Sequence, residues 1–199
     1  MIDNNFNKSQ YQQFGNVYLE EHAKKDGVGG GKPHDRVELL KKYLPLGSTV
    51  FEIGSAGGDD ATALQDAGYT VIASDFVKLF VDKLKKRGLH TIEFDAKNHE
   101  LPQNVDAIYA NAVFVHFTPE EVGDFLRKAK THLQNEKIVF MSVIKGEGSE
   151  RATRTTGFAR DFHYHTLQAL TKLLEKEGYK ILYGSDADPK WIQIICQSK

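Results

Sequence analysis

The sequence predicts an α/β fold in three layers, with a mainly parallel seven-stranded sheet that ends in a C-terminal antiparallel hairpin. Short β-rich runs alternate with helix-like segments from residue 49 onward, which is the pattern of parallel strands joined by crossover helices. Glycine or proline separates most of these segments. The last two β-rich runs are separated only by residues 185–190, a connection too short for a crossover, so they are expected to pair antiparallel.

The predicted elements follow from local patterns of apolar residues and of helix-ending residues. The strands are expected at 49–54, 69–75, 90–94, 105–111, 136–144, 180–184 and 191–196. Between them, helices are expected at 57–67, from Val77 to Gly88, from the Thr118 cap onward and at 166–177. Two further helices precede the first strand, at 8–22 and in the segment that Pro45 ends.

Composition narrows the class of protein. The 199 residues fit one domain, and 26 basic against 27 acidic side chains leave a net charge of -1, which does not favour a polyanion binder. No apolar run reaches 18 residues, so no membrane partner is expected. The polar first ten residues and a lone cysteine, Cys196, favour a cytoplasmic setting. Oligomeric state is not indicated.

The most informative segment is the turn at 51–60, where the first strand meets a helix. Gly54, Gly57 and Gly58 allow the backbone to turn sharply and to approach a ligand. Asp75 follows Gly54 by 21 residues and ends the second strand, where a carboxylate accepts hydrogen bonds from ribose hydroxyls. Together these features predict a nucleoside site at the carboxyl edge of the sheet.

The segment Glu52-Ile53-Gly54-Ser55-Ala56-Gly57-Gly58 resembles the acidic-x-Gly-x-Gly-x-Gly motif of class I S-adenosylmethionine-dependent methyltransferases, which have a Rossmann-like fold. Ala56 stands where the middle glycine of that motif usually lies. The resemblance covers most of the chain, including 36–54, 95–98, 111–122 and the closing hairpin. It implies that S-adenosyl-L-methionine is the cofactor and S-adenosyl-L-homocysteine the product.

Carried over by position, the resemblance implies a role for each matched residue. Glu52, Gly54, Ala56 and Gly58 would border the methionine part, Asp75 the ribose, Phe76, Asp95 and Ala96 the adenine, and Asn111 the sulfonium. Alternatives remain open for these residues. Gly54 and Gly58 would also serve as ordinary turn glycines, Asp75 as a helix N-cap, and Asp95 and Asn111 as turn residues.

Acceptor chemistry is expected in the segment 144–165, interpreted as a long substrate loop after the fifth strand. Arg160, His163 and His165 from this loop, with His116 after the fourth strand, are candidates for substrate contact or proton transfer. His163 and His165 alternate as on one face of a short strand. Structural or surface roles are the alternative for each, and no metal site is predicted because no third ligand is marked.

Residues 1–45 are expected to cap the cofactor site. Tyr11, Phe14 and Tyr18 share one face of the first helix, and similar enzymes place such a helix over the cofactor, with 27–32 as a possible hinge. This resemblance assigns Tyr18 to the cofactor site. Ordinary core packing of the aromatic stripe is the alternative.

The sequence therefore favours methyl transfer to a small-molecule acceptor by in-line displacement. A methyltransferase for a modified nucleoside in tRNA is the second interpretation, although a strong basic footprint is missing. A non-catalytic protein that binds S-adenosylmethionine is the third. A nicotinamide-dependent oxidoreductase is the fourth interpretation, but this sequence lacks the glycine spacing expected of such enzymes.

Overall fold

The computed structural model describes residues 6–23, 30–132, 136–153 and 157–199. Within these residues, nine strands are present: β1 (Thr49–Ile53), β2 (Thr70–Asp75), β3 (Thr91–Glu93), β4 (Ala107–Asn111), β5 (Ile138–Ile144), β6 (Ser149–Thr153), β7 (Ala159–His163), β8 (Tyr179–Ser185) and β9 (Trp191–Ser198). The helices are α1 (Phe6–Ala23), α2 (Pro33–Leu40), α3 (Asp59–Asp66), α4 (Lys78–Lys86), α5 (Pro119–His132) and α6 (Leu167–Lys176), with a 3₁₀ turn at Phe114–His116.

Seven of the described strands form one sheet in the order β3-β2-β1-β4-β5-β9-β8. The strands from β3 to β5 run parallel, whereas β9 is antiparallel to both β5 and β8. This confirms the predicted mainly parallel sheet with its C-terminal hairpin. The strand order reverses between β1 and β4, which opens a crevice at their carboxyl ends.

Helices cover both faces of the sheet. One core joins Leu40 of α2 and Leu64 of α3 to the sheet residue Phe140. On the opposite face, Leu126 of α5 and Leu170 of α6 pack against the sheet. Since both faces are covered, a central strand is expected to be apolar throughout, and all seven residues of β5 are buried.

The segment 144–165 is not the continuous loop that the sequence suggests. It contains β6 and β7, which form a separate antiparallel hairpin with Arg151 opposite Asp161. The side chains of β6 are almost all exposed and polar, so the alternation of apolar residues that marks a strand is missing. His163 ends β7 and His165 lies beyond it, so the two histidines do not share a strand.

The first helix packs against α4 and β7. Its backbone departs from helical geometry at Phe14 (φ −113°, ψ 15°), which divides it into two segments. Of the expected hinge at 27–32, residues 27–29 lie outside the described residues, and Gly30 and Gly31 have φ of +81° and +90°. The α1 helix is therefore joined to the site by side-chain contacts from distant parts of the sequence.

No helix in the described part of the chain combines the length and the apolar character that crossing a membrane requires.

Candidate active site

A cavity of about 960 Å³ opens at the carboxyl edge of the sheet. Three segments that follow β1, β2 and β4 line it, at 54–57, 75–76 and 111–113. The cavity therefore lies in the crevice where the strand order reverses. Its volume is at the upper end of the range for small-molecule sites, which is roughly 300–1,000 Å³.

The turn after β1 has a left-handed backbone at three positions, with φ of +70° at Gly54, +44° at Ala56 and +86° at Gly58. A Cβ on Gly54 would lie 2.8 Å from Cγ2 of Val113, so only glycine fits the floor of the cavity there. Gly54 and Ala56 line the cavity, and their contact with the methionine part of the cofactor stays a prediction. Gly58 is not among the described lining residues, because it instead faces Leu84, whose Cδ2 would be 2.7 Å from an added Cβ.

Asp75 links this turn to the end of β2. Its Oδ2 accepts a hydrogen bond from the Ala56 amide at 3.1 Å, and its Oδ1 accepts one from the Val77 amide at 2.9 Å. Burial raises the pKa of this carboxyl to about 6. The N-cap of α4 is Val77 and not Asp75, so the alternative role of Asp75 as that cap is wrong. Asp75 lines the cavity, as the ribose prediction requires.

Glu52 is a second carboxyl in the cavity wall, only 3% exposed. The Ser55 hydroxyl donates a hydrogen bond to its Oε2. Burial and the nearby charge of Asp60 raise the pKa of Glu52 to about 8. At neutral pH this carboxyl therefore carries a proton in a large fraction of the molecules.

Asp60 is the third carboxyl, and sequence reasoning gave it no role. Arg36 from α2 donates to both of its oxygens, with Nη2 at 2.8 and 3.0 Å. The Tyr109 hydroxyl donates to Oδ1 at 2.9 Å, and the Asn111 amide donates to Oδ2 at 2.8 Å. Asp60 lies two residues after Gly58, but its partners lie 24 to 51 residues away, so no local pattern marks the cluster.

Asn111 lines the cavity through a side chain that is held on both sides. Its amide nitrogen donates to Asp60, and its Oδ1 accepts from the Ser142 hydroxyl at 2.6 Å. The side chain is therefore a fixed part of the wall at the end of β4.

The opposite end of the cavity is bordered by Phe76, Phe94, Asp95, Ala96 and Lys97. Asp95 accepts hydrogen bonds from the Lys97 amide and from Asn98, both at 3.1 Å, so it is also a turn residue. Lys8 of α1 approaches its Oδ2 to 3.4 Å. An aromatic ring and a turn carboxylate thus adjoin at this end, which fits the adenine prediction.

The aromatic stripe of α1 both packs and lines the cavity. Tyr11 and Tyr18 are lining residues. The Tyr11 ring makes edge contacts with Tyr18 and Phe158, with centroids 5.1 and 5.6 Å apart. Phe14 stacks on Phe158 at 5.3 Å. The stripe is therefore packed as an aromatic cluster, and its place over the cofactor stays a prediction.

His116 reaches the cavity from the 3₁₀ turn after β4. Its Nε2 lies 3.0 Å from the Tyr11 hydroxyl, and its Nδ1 lies 2.7 Å from the backbone carbonyl of Asp161. Burial lowers the pKa of this imidazole to about 3, so the ring is neutral at physiological pH.

Of the four predicted acceptor-side residues, only His116 is among the described residues that line the cavity. Arg160 is buried and donates from Nη1 to the Tyr11 hydroxyl at 2.9 Å, so it touches the wall from outside. His163 and His165 are buried, and burial lowers the pKa of each. Direct roles for these three residues stay predictions.

Comparison with known proteins agrees with this geometry. Residues 26–183 match a family described as a methyltransferase domain. The chain is 30% identical over 163 residues to an uncharacterized methyltransferase, YrrT, of Bacillus subtilis strain 168, and the match covers 73% of this chain and 76% of that protein.

Solved structures share the fold. A 1,6-didemethyltoxoflavin N1-methyltransferase of Burkholderia thailandensis, crystallised with S-adenosylhomocysteine, matches with a TM-score of 0.70 and 16% identity, over 96% of this chain and 85% of that one. The [4+2]-cyclase SpnF matches with a TM-score of 0.73 and 12% identity, over 96% and 94%. Fold and site define a class I, Rossmann-like methyltransferase architecture. The chain belongs to the methyltransferase domain family.

Replacing Ala56 by glycine tests the strain in the turn. A left-handed backbone at a non-glycine residue destabilises the folded state by about 1–2 kcal/mol, which glycine would relieve. Glycine also gives the unfolded chain more conformational freedom, which offsets about 0.5–1 kcal/mol of that gain. Ala56→Gly is expected to raise the free energy of unfolding by roughly 0.5–1 kcal/mol in urea denaturation. Ala63→Gly, inside α3, is the matched control and should lower it. A loss of stability in Ala56→Gly would show that the methyl group packs favourably.

The Asp60 cluster gives a second prediction. Asp60→Ala leaves the Arg36 guanidinium, 2% exposed, buried without its carboxylate, so unfolding should become easier by about 3–5 kcal/mol. Arg36→Ala should cost a similar amount. The double variant should lose clearly less than the sum, because neither charge is then left alone. Additive losses in denaturant titrations would contradict a direct coupling of the two side chains.

Proposed function

We propose that this protein transfers a methyl group from S-adenosyl-L-methionine to a small-molecule acceptor by in-line displacement, releasing S-adenosyl-L-homocysteine. The observation that carries this proposal is the cavity at the strand-order reversal, whose walls combine a glycine turn with the carboxyl groups of Glu52, Asp60 and Asp75. When bound, S-adenosylmethionine supplies a methyl group that is already activated as a sulfonium.

The charge of the cavity floor suits that cofactor. Glu52, Asp60 and Asp75 all line the cavity, and only Asp60 is paired with a buried cation, Arg36. A buried carboxylate gains most from a positive ligand, because water is not present to screen the pair. S-adenosylmethionine offers both a sulfonium and an ammonium.

We assign the other lining residues to parts of the cofactor by their position along the cavity. Asp75 interacts with the backbone amides of Ala56, Phe76 and Val77, and its two carboxylate oxygens have further lone pairs that are able to accept ribose hydroxyls. Phe76 and Asp95 with Ala96 would border the adenine. Gly54 and Ala56 would border the methionine, with Tyr18 closing the site from α1. Asn111 acts through Asp60, which its amide holds in place.

A small acceptor fits the enclosure better than a nucleic acid. Asn7, Tyr11 and Tyr18 of α1 line the cavity, so a helix forms one of its walls. The chain has 26 basic and 27 acidic side chains, so it has no excess of positive charge for binding the phosphates of a nucleic acid. We therefore place the acceptor between α1 and the residues after β4, with β6 and β7 behind them.

The protein's own contribution to such a reaction is positioning and exclusion of water. Displacement at a methyl group needs the nucleophile in line with the leaving sulfur, and fixed walls supply that alignment. The aromatic rings of Tyr11, Phe76 and Phe80 line the cavity and keep it apolar beside the carboxylates. An apolar enclosure also protects a reactive methyl donor from hydrolysis.

Two measurements test the proposal in order. Calorimetric titration with S-adenosylmethionine, S-adenosylhomocysteine and NAD should give micromolar binding of the first two and none of the third. Methyl-labelled S-adenosylmethionine is then incubated with pooled small hydroxyl, amine and thiol compounds and, separately, with tRNA. Label in a small product supports the proposal, whereas label in tRNA, or absence of cofactor binding, overturns it.

Asp75→Ala should weaken binding of S-adenosylhomocysteine by about 1.5–3 kcal/mol, roughly 10- to 150-fold, if the carboxylate holds the ribose. Asp66→Ala, at the end of α3 and away from the cavity lining, is the matched control and should leave the affinity unchanged. Circular dichroism confirms folding of both variants. An unchanged dissociation constant in Asp75→Ala would remove this residue from the cofactor site.

Cofactor binding should depend on pH through Glu52. Its pKa, raised to about 8 by burial and by Asp60, falls when a cation binds beside it, so binding releases a proton below pH 8. Affinity for S-adenosylmethionine should therefore rise with pH between about 6 and 8, by up to tenfold per pH unit. Affinity for S-adenosylhomocysteine, whose sulfur is uncharged, should rise less. Calorimetry in buffers of different ionisation enthalpy measures the released proton. A dependence that persists in Glu52→Gln would assign it to another group.

A further inference from the structure

Tyr11 and His116 form a hydrogen-bonded pair in the cavity wall. Arg160 bonds to Tyr11 and a backbone carbonyl bonds to His116, so four groups form one series of hydrogen bonds. Arg160 Nη1 lies 2.9 Å from the Tyr11 hydroxyl, which lies 3.0 Å from His116 Nε2. His116 Nδ1 lies 2.7 Å from the Asp161 carbonyl oxygen. Tyr11 and His116 both line the cavity.

The two groups at the ends of this series, Arg160 and the Asp161 carbonyl, fix the direction of every hydrogen bond between them. The Asp161 carbonyl only accepts, so His116 carries its proton on Nδ1 and has a lone pair on Nε2. Nε2 therefore accepts from the Tyr11 hydroxyl. Arg160 only donates, so the Tyr11 oxygen accepts from it and keeps one further lone pair.

Building on the proposed function, we propose that Tyr11 and His116 act as a proton relay for an acceptor whose nucleophilic atom is a hydroxyl oxygen. The acceptor hydroxyl donates to Tyr11 Oη, and the Tyr11 proton moves to His116 Nε2 as the methyl group arrives. Tyr11 is the catalytic residue that touches the acceptor, His116 is the final base, and Arg160 is a positioning residue.

Atoms and charges balance in this step. The new bond joins the acceptor oxygen to the methyl carbon, the bond from that carbon to the donor sulfur breaks, and the sulfur keeps the electron pair. The acceptor proton passes to Tyr11, whose own proton passes to His116. The cavity loses the positive charge of the sulfonium and gains that of the imidazolium, so its total charge does not change.

The surroundings of Tyr11 favour a neutral hydroxyl over an ammonium. A donor to Tyr11 Oη would lie roughly 4–5 Å from the Arg160 guanidinium, since both bond the same oxygen at about 2.9 Å. Arg160 repels a positive nitrogen there, and the weaker opposite effect of Asp75 offsets this only in part, whereas a neutral hydroxyl is not repelled. Burial, which lowers the pKa of His116 to about 3, points the same way. A weak base accepts the very acidic proton of a methylated oxygen, but it does not remove one from an ammonium with a pKa near 10.

The base is held in its tautomer by the hairpin and by α1. Asn7 donates to the Asp161 carbonyl at 3.1 Å and accepts from the Asp161 amide at 2.8 Å. Arg151 holds the Asp161 carboxylate at 2.7 and 2.9 Å. Asn7 and Tyr11, four residues apart, lie on the same face of α1, so one helix segment positions both ends of the relay.

The relay is tested with Tyr11→Phe and His116→Gln against Tyr69→Phe. The control removes a buried hydroxyl that donates to the Leu44 carbonyl outside the cavity lining. With a hydroxyl acceptor from the labelled screen, kcat should fall about 100-fold or more in both site variants, while the dissociation constant of S-adenosylhomocysteine stays within about threefold. A thiol acceptor assayed above its pKa of about 8.5, where it is ionised, should be methylated at the wild-type rate.

A purely structural role would instead weaken cofactor binding, raise KM and slow all acceptors alike, and that outcome overturns the proposal. Wild-type kcat in Tyr11→Phe, or transfer to amines alone, overturns it as well. A second readout does not need an acceptor. Nitrogen-15 spectra of histidine-labelled protein with S-adenosylhomocysteine should show His116 neutral at pH 7, with its proton on Nδ1.

A proton on Nε2 excludes the relay even if methyl transfer is found. If the wild type methylates nothing in the screen, the proposed function fails, and the tautomer still decides whether the relay geometry is correct.

Discussion

One carboxylate, that of Asp60, fixes the relative positions of α2, α3 and β4 beneath the cavity. Its two oxygens accept from Arg36, Tyr109 and Asn111, so both oxygens of this half-buried carboxylate are hydrogen-bonded. A buried ion pair is favourable only when its geometry is good and further hydrogen bonds complete it, and this cluster meets both conditions. The floor of the cavity, including the end of β4 and the first turn of α3, depends on that arrangement.

Charge is distributed unequally around the cavity. Glu52, Asp60 and Asp75 occupy the floor beside the sheet, whereas Arg160 lies against Tyr11 on the side of α1. Such a field orients its ligands: it favours a positive group near the floor and a neutral hydroxyl near Arg160. Burial raises the pKa values of Glu52 and Asp75 and lowers that of His116, because loss of water disfavours the charged form of each group.

Local patterns predicted the sheet, its closing hairpin and the turn after β1, because apolar periodicity and glycine act over a few residues. They did not predict β6, whose polar residues pair with β7 without burying a face. The glycine motif predicts that Gly58 lies in the cavity, but its missing Cβ instead makes room for Leu84, a contact that a motif does not contain. His116 was recognised as a candidate, yet its partner Tyr11 lies 105 residues away. Likewise, the pairing of Arg36 with Asp60 becomes visible only when α2 and α3 pack together.

The break at Phe14 divides α1 into two segments that carry different parts of the wall, Asn7 and Tyr11 before it and Tyr18 after it. Hydrogen bonding along a helix is cooperative, and an interrupted turn limits how far fraying spreads. The segment before the break can therefore detach from β7 without unwinding the segment after it. That first segment holds Asp161 of β7 through Asn7 and Asp95, at the predicted adenine end, through Lys8, so its release would open both ends of the cavity together while Tyr18 stays in place.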